Sequence, residues 1–136
     1  MNLVIDIGNT SVKAAVFSGK TLVEVRQQRG NSLLFVSELL AEHPVNQGIL
    51  ASVIALGKEN EKWLNEQSVP IMQLNQFTPI PVINLYETPH TLGYDRIAAV
   101  VGAYDQFPGK NILVIDAGTA ITYEFIDAEG RYHGGN

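Results

Sequence analysis

The pattern of apolar and polar positions divides the chain into short strands and helices. Runs rich in β-branched and aromatic residues predict strands. These runs lie at 2–6, 12–17, 21–26, 48–53, 71–74, the segment that ends at Asp116, and 121–126. Apolar residues at helical spacing predict helices over Ser32–Glu42, Lys58–Gln67 and Arg96–Gln106. The element order β, β, β, α, β, α, β, then α and a new pair of strands, predicts an α/β fold.

The first helix and the segment between 71–74 and the third helix give more specific predictions. The predicted apolar stripe of the first helix consists of Leu33, Leu34, Val36, Leu39 and Leu40. Between 78 and 89 the chain has three prolines, which remove backbone donors and favour extended geometry. This segment is predicted to be a loop or an edge strand, where binding sites are common.

The beginning of the chain is nearly repeated later. The sequence VIDIGNT at 4–10 returns as VIDAGTA at 114–120, and an apolar run follows each copy. Each unit is therefore predicted to be a strand, a tight turn and a second strand. A carboxylate at a strand end, a glycine turn and small hydroxyl residues suit phosphate binding beside a cation. The alternative is an ordinary hairpin turn built from turn-forming residues, and the repetition of the motif argues against this interpretation.

A second glycine turn has a different explanation. Gly19-Lys20-Thr21 resembles the end of a Walker loop, but the glycine required earlier in that motif is replaced by Ala14. Because the tripeptide lies between two predicted strands, it is interpreted as a hairpin turn.

Composition narrows the classes of function. The formal charge is -5 and the basic residues are scattered, so nucleic acid is not an expected partner. The chain has no cysteine, which excludes disulfides and thiolate chemistry. The N-terminus lacks a basic leader and no apolar run approaches a membrane span, so a cytoplasmic protein without a membrane partner is predicted. His43, His90 and His133 are far apart in sequence and are expected to be surface or loop residues.

A third motif, NLYETPHTLGYDR at 84–96, completes a resemblance. Together with the two Asp-x-Gly turns, it resembles the type III pantothenate kinases. The resemblance implies a ribonuclease H-like lobe of the actin-like ATPase superfamily at 1–110, followed at 111–136 by the first hairpin of a second, duplicated lobe. Members of this family are longer chains, so these residues are expected to be the N-terminal portion of such an enzyme, to fold in large part and to be inactive alone.

The resemblance implies roles for the two turns. ATP phosphates would be held by the first turn with its second strand and by Thr119. The implied residues of this turn are Asp6, Ile7, Gly8, Asn9, Thr10, Ser11, Val12 and Lys13. Asp6 would also order Mg²⁺, and Asp116 would bind a monovalent cation, K⁺ or NH₄⁺. Without the resemblance, Lys13 is equally well a solvent-facing strand lysine.

The same resemblance implies a substrate site at 86–96. Asp95 would be the general base and Arg96 the partner of the pantothenate carboxylate, with Gly93, Tyr94 and Tyr86 completing the pocket. From the residue pattern alone, Asp95 is a better candidate for a helix N-cap and Tyr86 for a packing aromatic. Two positions depart from the family pattern: Tyr94, where smaller residues are common, and Glu124, where an Asp is frequent.

The implied activity is ATP-dependent phosphorylation of pantothenate, the first step of coenzyme A biosynthesis, by a homodimer. Two alternatives remain open at this point. An actin-like or heat-shock-like ATPase would keep both turns but would have no use for the Gly-Tyr-Asp-Arg motif. A regulatory homologue would keep the fold and transfer nothing.

Overall fold

The computed structural model describes residues 1–118 and 120–136, apart from the side chain of Pro89. The described residues fall into two compact units, Met1–Leu74 and Asn75–Asn136. The sequence predicted lobes that divide after residue 110, and this boundary between duplicated lobes stays a prediction. Among the described residues, no helix has the length and apolar character needed to cross a membrane.

The first unit is a mixed sheet with two helices. Its elements are β1 (Asn2–Ile7), β2 (Ser11–Ser18), β3 (Thr21–Arg29), α1 (Val36–Glu42), β4 (Gln47–Ser52), α2 (Lys58–Asn65) and β5 (Ile71–Gln73). The strand order is β3-β2-β1-β4-β5, with β1 parallel to β4 and antiparallel to β2. Both helices lie between strands that belong to one sheet, as an α/β crossover requires.

The core of this unit forms because alternate residues of the strands are apolar. Leu3, Ile5 and Ile7 of β1 are fully buried in one cluster with side chains from both helices, including Val36 and Trp63. The opposite face of β1 carries Val4 and Asp6.

The second unit is a smaller sheet with one α-helix. Its elements are β6 (Ile83–Asn84), a short 3₁₀ helix (Pro89–Thr91), α3 (Tyr94–Gln106), β7 (Ile112–Ala117), β8 (Ile121–Ile126) and β9 (Arg131–Gly135). The strand order is β6-β9-β8-β7, and β6, at one edge of this sheet, lies in the proline-bearing segment. The expectation of a loop or edge strand there is confirmed.

A helix–sheet core holds the second unit together. Helix α3 packs on β7 and β8. The core consists of Leu92, Ile97, Val100, Ile126 and Tyr132. The other face of this sheet leaves large apolar side chains exposed. They are Leu113, Ile115, Ile121, Tyr123 and Phe125.

Several predicted boundaries were wrong. Helix α1 begins at Val36 rather than Ser32, because the amides of Val36, Ser37 and Glu38 bond three residues back and residues 33–35 form a turn. Leu34 is consequently exposed and does not belong to the apolar stripe. Helix α2 ends two residues early, at Asn65. Strand β9 was not predicted, since its sequence RYHGG lacks the usual strand composition.

Candidate functional site

The first Asp-x-Gly turn joins β1 to β2 as an antiparallel hairpin. The Gly8 amide donates to the Ser11 carbonyl (3.0 Å), and the Gly30 amide donates to the Thr10 carbonyl (3.0 Å). Residues Asn9 and Thr10 are exposed at the tip. The strand, turn, strand prediction is confirmed, and the two residues at the tip of the turn face solvent.

Cross-strand register places the charged residues of this hairpin together. Asp6 lies directly opposite Lys13, on the sheet face that points away from the core. Lys13 is exposed, so it can reach an anion at the turn. The side chains of Ile7 and Val12 are fully buried in the core. Of these two residues, only the backbone can contact a ligand.

The second Asp-x-Gly turn joins β7 to β8. Asp116 lies opposite Thr122, and the Gly118 amide donates to the Ala120 carbonyl (3.0 Å). Asp116 is exposed, on the same sheet face as the buried Glu124 two pairs further along. Thr119 lies outside the described residues, so its proposed contact with ATP stays a prediction.

The turn at Gly19-Lys20-Thr21 has the structure that the sequence predicts. Ser18 pairs with Thr21 across Gly19 and Lys20, and Gly19 has a φ of 58°, which glycine adopts without strain. The interpretation of Gly19-Lys20-Thr21 as a hairpin turn is confirmed.

Arg96 belongs to a closely bonded cluster in the second unit. Its Nε donates to Glu124 Oε1 (2.5 Å) and its Nη2 donates to Glu124 Oε2 (2.9 Å). The Tyr132 hydroxyl donates to the same Oε2 (2.5 Å). The side chain of Glu124 is 1% exposed, so the carboxylate of this bidentate ion pair is buried.

Tyr86 completes this cluster from the other side. Its ring is stacked on that of Tyr132, with centroids 6.3 Å apart and planes inclined by 8°. The Arg96 guanidinium carbon lies 5.4 Å from the Tyr86 ring centroid, which is a cation–π distance. A Cβ on Gly134 would lie 2.5 Å from Tyr86 Cδ2, so glycine at that position makes room for the ring.

The electrostatics of the cluster follow from this geometry. Hydrogen bonds from Arg96 to Glu124 raise the pKa of Arg96, although partial burial opposes the shift. Burial, followed by the bond to Glu124, raises the pKa of Tyr132. At neutral pH the guanidinium is charged and the phenol is protonated, as the hydrogen-bond directions require.

Asp95 lies beside this cluster at the start of α3. The helix begins at Tyr94 with Gly93 as its N-cap, so the sequence-based expectation that Asp95 is the N-cap was wrong. Asp95 is exposed in the first turn, and its Oδ1 accepts a hydrogen bond from the Arg96 amide (2.9 Å). A Cβ on Gly93 would lie 2.4 Å from that oxygen. The glycine of the Gly-Tyr-Asp-Arg motif therefore leaves space for the carboxylate.

Tyr94 packs its half-buried side chain against the apolar core of the second unit. The structure thus brings together Tyr86, Arg96 and Glu124, with Asp95 and Gly93 on the adjoining turn.

The tertiary structure also groups residues that are separated in sequence. Ligand atoms of Glu24, Glu42 and His43 lie within 4.8 Å of one another. The Arg26 guanidinium bonds to both of these carboxylates. Hydrogen bonds from His43 and Arg26 lower the pKa of Glu24. Because an arginine already compensates these carboxylates, we describe this group as a surface ion-pair network.

Comparison with known proteins decides the family. A family model for type III pantothenate kinases matches residues 2–136. The chain belongs to the type III pantothenate kinase family.

Individual relatives support this family assignment. A type III pantothenate kinase from Bacteroides fragilis is 56% identical over 136 residues, and one from Phocaeicola vulgatus is 51% identical over the same length. Each match covers all of this chain but 56% of the relative. The chain therefore spans about half the length of the curated pantothenate kinases that it matches.

A solved structure supports the fold. A candidate N-acetylmannosamine kinase from Listeria monocytogenes superimposes with a TM-score of 0.53 at 15% identity, over 96% of this chain and 48% of that one. At that identity the likeness concerns the fold alone. It confirms the predicted α/β fold class.

Two residues of the cluster, Glu124 and Tyr132, were not predicted from the sequence. In the sequence, Glu124 stands out only as a departure from the family pattern. One signal was available: a lone acidic residue within the apolar run 121–126 must find a partner if that strand is buried. The identity of the partner could not be read from the sequence.

Proposed function

We propose that the whole protein transfers the terminal phosphoryl group of ATP to pantothenate, the first step of coenzyme A biosynthesis. The observation that carries this proposal is the family match over residues 2–136, which includes Asp95 and Arg96 on the first turn of α3. Phosphoryl transfer depends on positioning and charge neutralisation more than on covalent chemistry.

The pantothenate side of the reaction is assigned to the second unit. Arg96 binds the substrate carboxylate through its planar guanidinium, and Tyr86, Gly93 and Tyr94 shape the pocket. Asp95 accepts the proton from the attacking hydroxyl. Its exposure at the helix start supports this role, since a base must reach a substrate that arrives from solvent.

The ATP side is assigned to the first turn. The turn from Gly8 to Ser11, with Asn9 and Thr10 exposed at its tip, binds phosphate oxygens, and Lys13 neutralises their charge. Asp6 and the second-lobe residue Thr119 complete the contacts. Asp6 has the hard carboxylate oxygens that Mg²⁺ prefers, and it lies half-buried at the end of β1. Bound Mg²⁺ would neutralise phosphate charge.

Asp116 is assigned to a monovalent cation, K⁺ or NH₄⁺. The oxygen-bearing Thr122 opposite it supports this assignment, because such cations are bound by oxygen ligands. A homodimeric, cytoplasmic enzyme completes the proposal. The homodimer rests on the family resemblance, and the cytoplasmic location is the prediction made from the sequence.

A coupled ADP-release assay on the whole protein, with and without pantothenate, tests the proposed function. We expect ADP release that depends on pantothenate and yields phosphopantothenate in equal amount. ADP release without pantothenate would favour an ATPase of the same fold. Nucleotide binding without any turnover would favour a regulatory homologue.

A further inference from the structure

We propose that Glu124, held by the Tyr132 hydroxyl, positions Arg96 so that one edge of its guanidinium faces the substrate carboxylate. This inference rests on the proposed function, because it takes pantothenate as the ligand. Glu124 itself is a positioning residue, since it acts through Arg96.

Glu124 is buried and hydrogen-bonded in the second unit. Its side chain is 1% exposed on β8, where its oxygens accept bonds from Arg96 Nε, Arg96 Nη2 and the Tyr132 hydroxyl. A buried carboxylate is tolerated only when charge and hydrogen bonds compensate it. The carboxylate therefore cannot leave Arg96 without a large loss of free energy, and Arg96 is held in place.

The bonds to Glu124 occupy one edge of the guanidinium. A guanidinium has five N–H groups, which form a side-on edge at Nε and Nη2 and an end-on edge at Nη1 and Nη2. Glu124 binds the side-on edge. The end-on edge has the spacing that binds a second carboxylate through two parallel bonds. With the side-on edge clamped, the plane and direction of the end-on edge are set before a ligand arrives.

Aromatic contacts hold the guanidinium from a second direction. The Tyr86 ring lies 5.4 Å from the Arg96 guanidinium carbon and is stacked on Tyr132. Tyr132 thus supports Arg96 twice, through its hydroxyl on Glu124 and through its ring under Tyr86. Together these contacts restrict the rotamers of a side chain that is otherwise highly flexible.

Stability alone is a weak explanation for this cluster. Replacing a buried ion pair by apolar residues of similar volume is often neutral or stabilising. A pair that also orients a binding group has a reason to remain, because a preorganised ligand site avoids the cost of ordering its side chains on binding.

Substrate kinetics of the whole protein test the proposal. Glu124→Gln keeps the side-chain size and removes the charge. We expect it to raise the KM for pantothenate at least about tenfold and to leave the KM for ATP within about twofold. Preference for pantothenate over pantothenol, an analogue with an alcohol in place of the carboxylate, should fall by the same factor. Tyr132→Phe, which removes one hydrogen bond to Glu124, should raise the KM for pantothenate about threefold.

Glu129→Gln is the matched control. Glu129 lies in the turn between β8 and β9, pairs with Arg131 at 3.1 Å and has a side chain that is 65% exposed. This variant should keep the KM values and the selectivity of the wild type. If Glu124→Gln fails to fold, Tyr132→Phe decides the question.

The outcomes separate the two proposals. An active wild type whose Glu124→Gln variant folds and keeps its KM and selectivity would overturn the positioning role but not the proposed function. Equal losses for pantothenate and pantothenol would also overturn the role, because they would show a structural effect only. A wild type inactive toward pantothenate would overturn both.

Discussion

The two Asp-x-Gly hairpins have nearly the same sequence and very different surroundings. In β1, Ile5 is fully buried beneath helices of the first unit. Its counterpart in the repeat, Ile115 of β7, is 57% exposed on the sheet face that also carries Leu113 and Phe125. The repeated sequence produces a strand-turn-strand hairpin twice, whereas burial depends on what else packs against each strand.

The turns themselves also differ. The Gly8 amide bonds to Ser11, three residues ahead, whereas the Gly118 amide bonds to Ala120, two residues ahead. The second hairpin is therefore tighter by one residue, and its register changes. Lys13 lies opposite Asp6, but Thr122 lies opposite Asp116. A lysine suits an anion and a hydroxyl oxygen suits a cation, so the hairpins are suited to complementary tasks.

The difference in burial between the two hairpins should have its largest effect on stability. In the present chain, Ile5→Ala should lower the free energy of unfolding by about 2–5 kcal/mol, because it opens a cavity in a closed core. Ile115→Ala, the same change at the repeated position, should cost about 1 kcal/mol or less. Urea unfolding followed by Trp63 fluorescence and far-UV circular dichroism measures both. Equal losses would show that the β7 face is covered in solution.

The next effect concerns activity in the second unit. In the whole protein, Asp95→Asn should lower turnover at least about a hundredfold, because it removes the proposed base. The melting temperature should hardly change, since an amide oxygen can still accept the Arg96 amide. Asp105→Asn, in the last turn of the same helix, is the control and should retain activity. Near-normal turnover of Asp95→Asn would leave Asp95 with a structural role at the helix start.

A smaller effect on activity is expected from a substitution of Gly93, two residues before Asp95. Gly93→Ala should reduce turnover by about tenfold, because the new Cβ displaces the Asp95 carboxylate from its position. The backbone there has φ -63° and ψ 140°, which any residue can adopt, so the loss of stability should be limited to about 0.5–1 kcal/mol from the preference of the N-cap for glycine over alanine.

Gly102→Ala in the same helix is the control for this substitution. A Cβ at Gly102 meets nothing within 4 Å among the described atoms. This variant should keep full activity and gain about 0.5–1 kcal/mol of stability. If Gly93→Ala is as active as Gly102→Ala, the position of the Asp95 carboxylate is not critical.

The smallest expected effect is the cation dependence assigned to the second hairpin. Activity of the whole protein in potassium chloride should exceed that in tetramethylammonium chloride severalfold. Asp116→Asn should reduce this ratio and raise the KM for ATP, because it removes the charged ligand of the cation. Initial rates in the two salts at equal ionic strength provide the measurement. Equal wild-type rates in the two salts would remove the cation from the proposal.

Much of the local structure was predictable because it depends on local patterns. Apolar runs rich in β-branched residues predicted β1 and β2, and the three prolines predicted a loop or an edge strand. Helix starts were less predictable. Residues 33–35 wind as a turn before α1, and α3 begins at Tyr94 because Gly93 serves as its N-cap. Such choices depend on a few competing hydrogen bonds that the apolar pattern does not record.

Residue types at short spacing were enough to predict the paired strand-turn-strand units and the α/β class, and to single out Asp95 and Arg96. The ion pair between Arg96 and Glu124 was not predictable in this way, because β8 and α3 must pack before these side chains can meet. Nor was it predictable that Ile5 is buried while Ile115 is exposed. The physical reason is the same in both cases: burial and ion pairing are properties of packed surfaces, and one strand's sequence does not specify what packs against it.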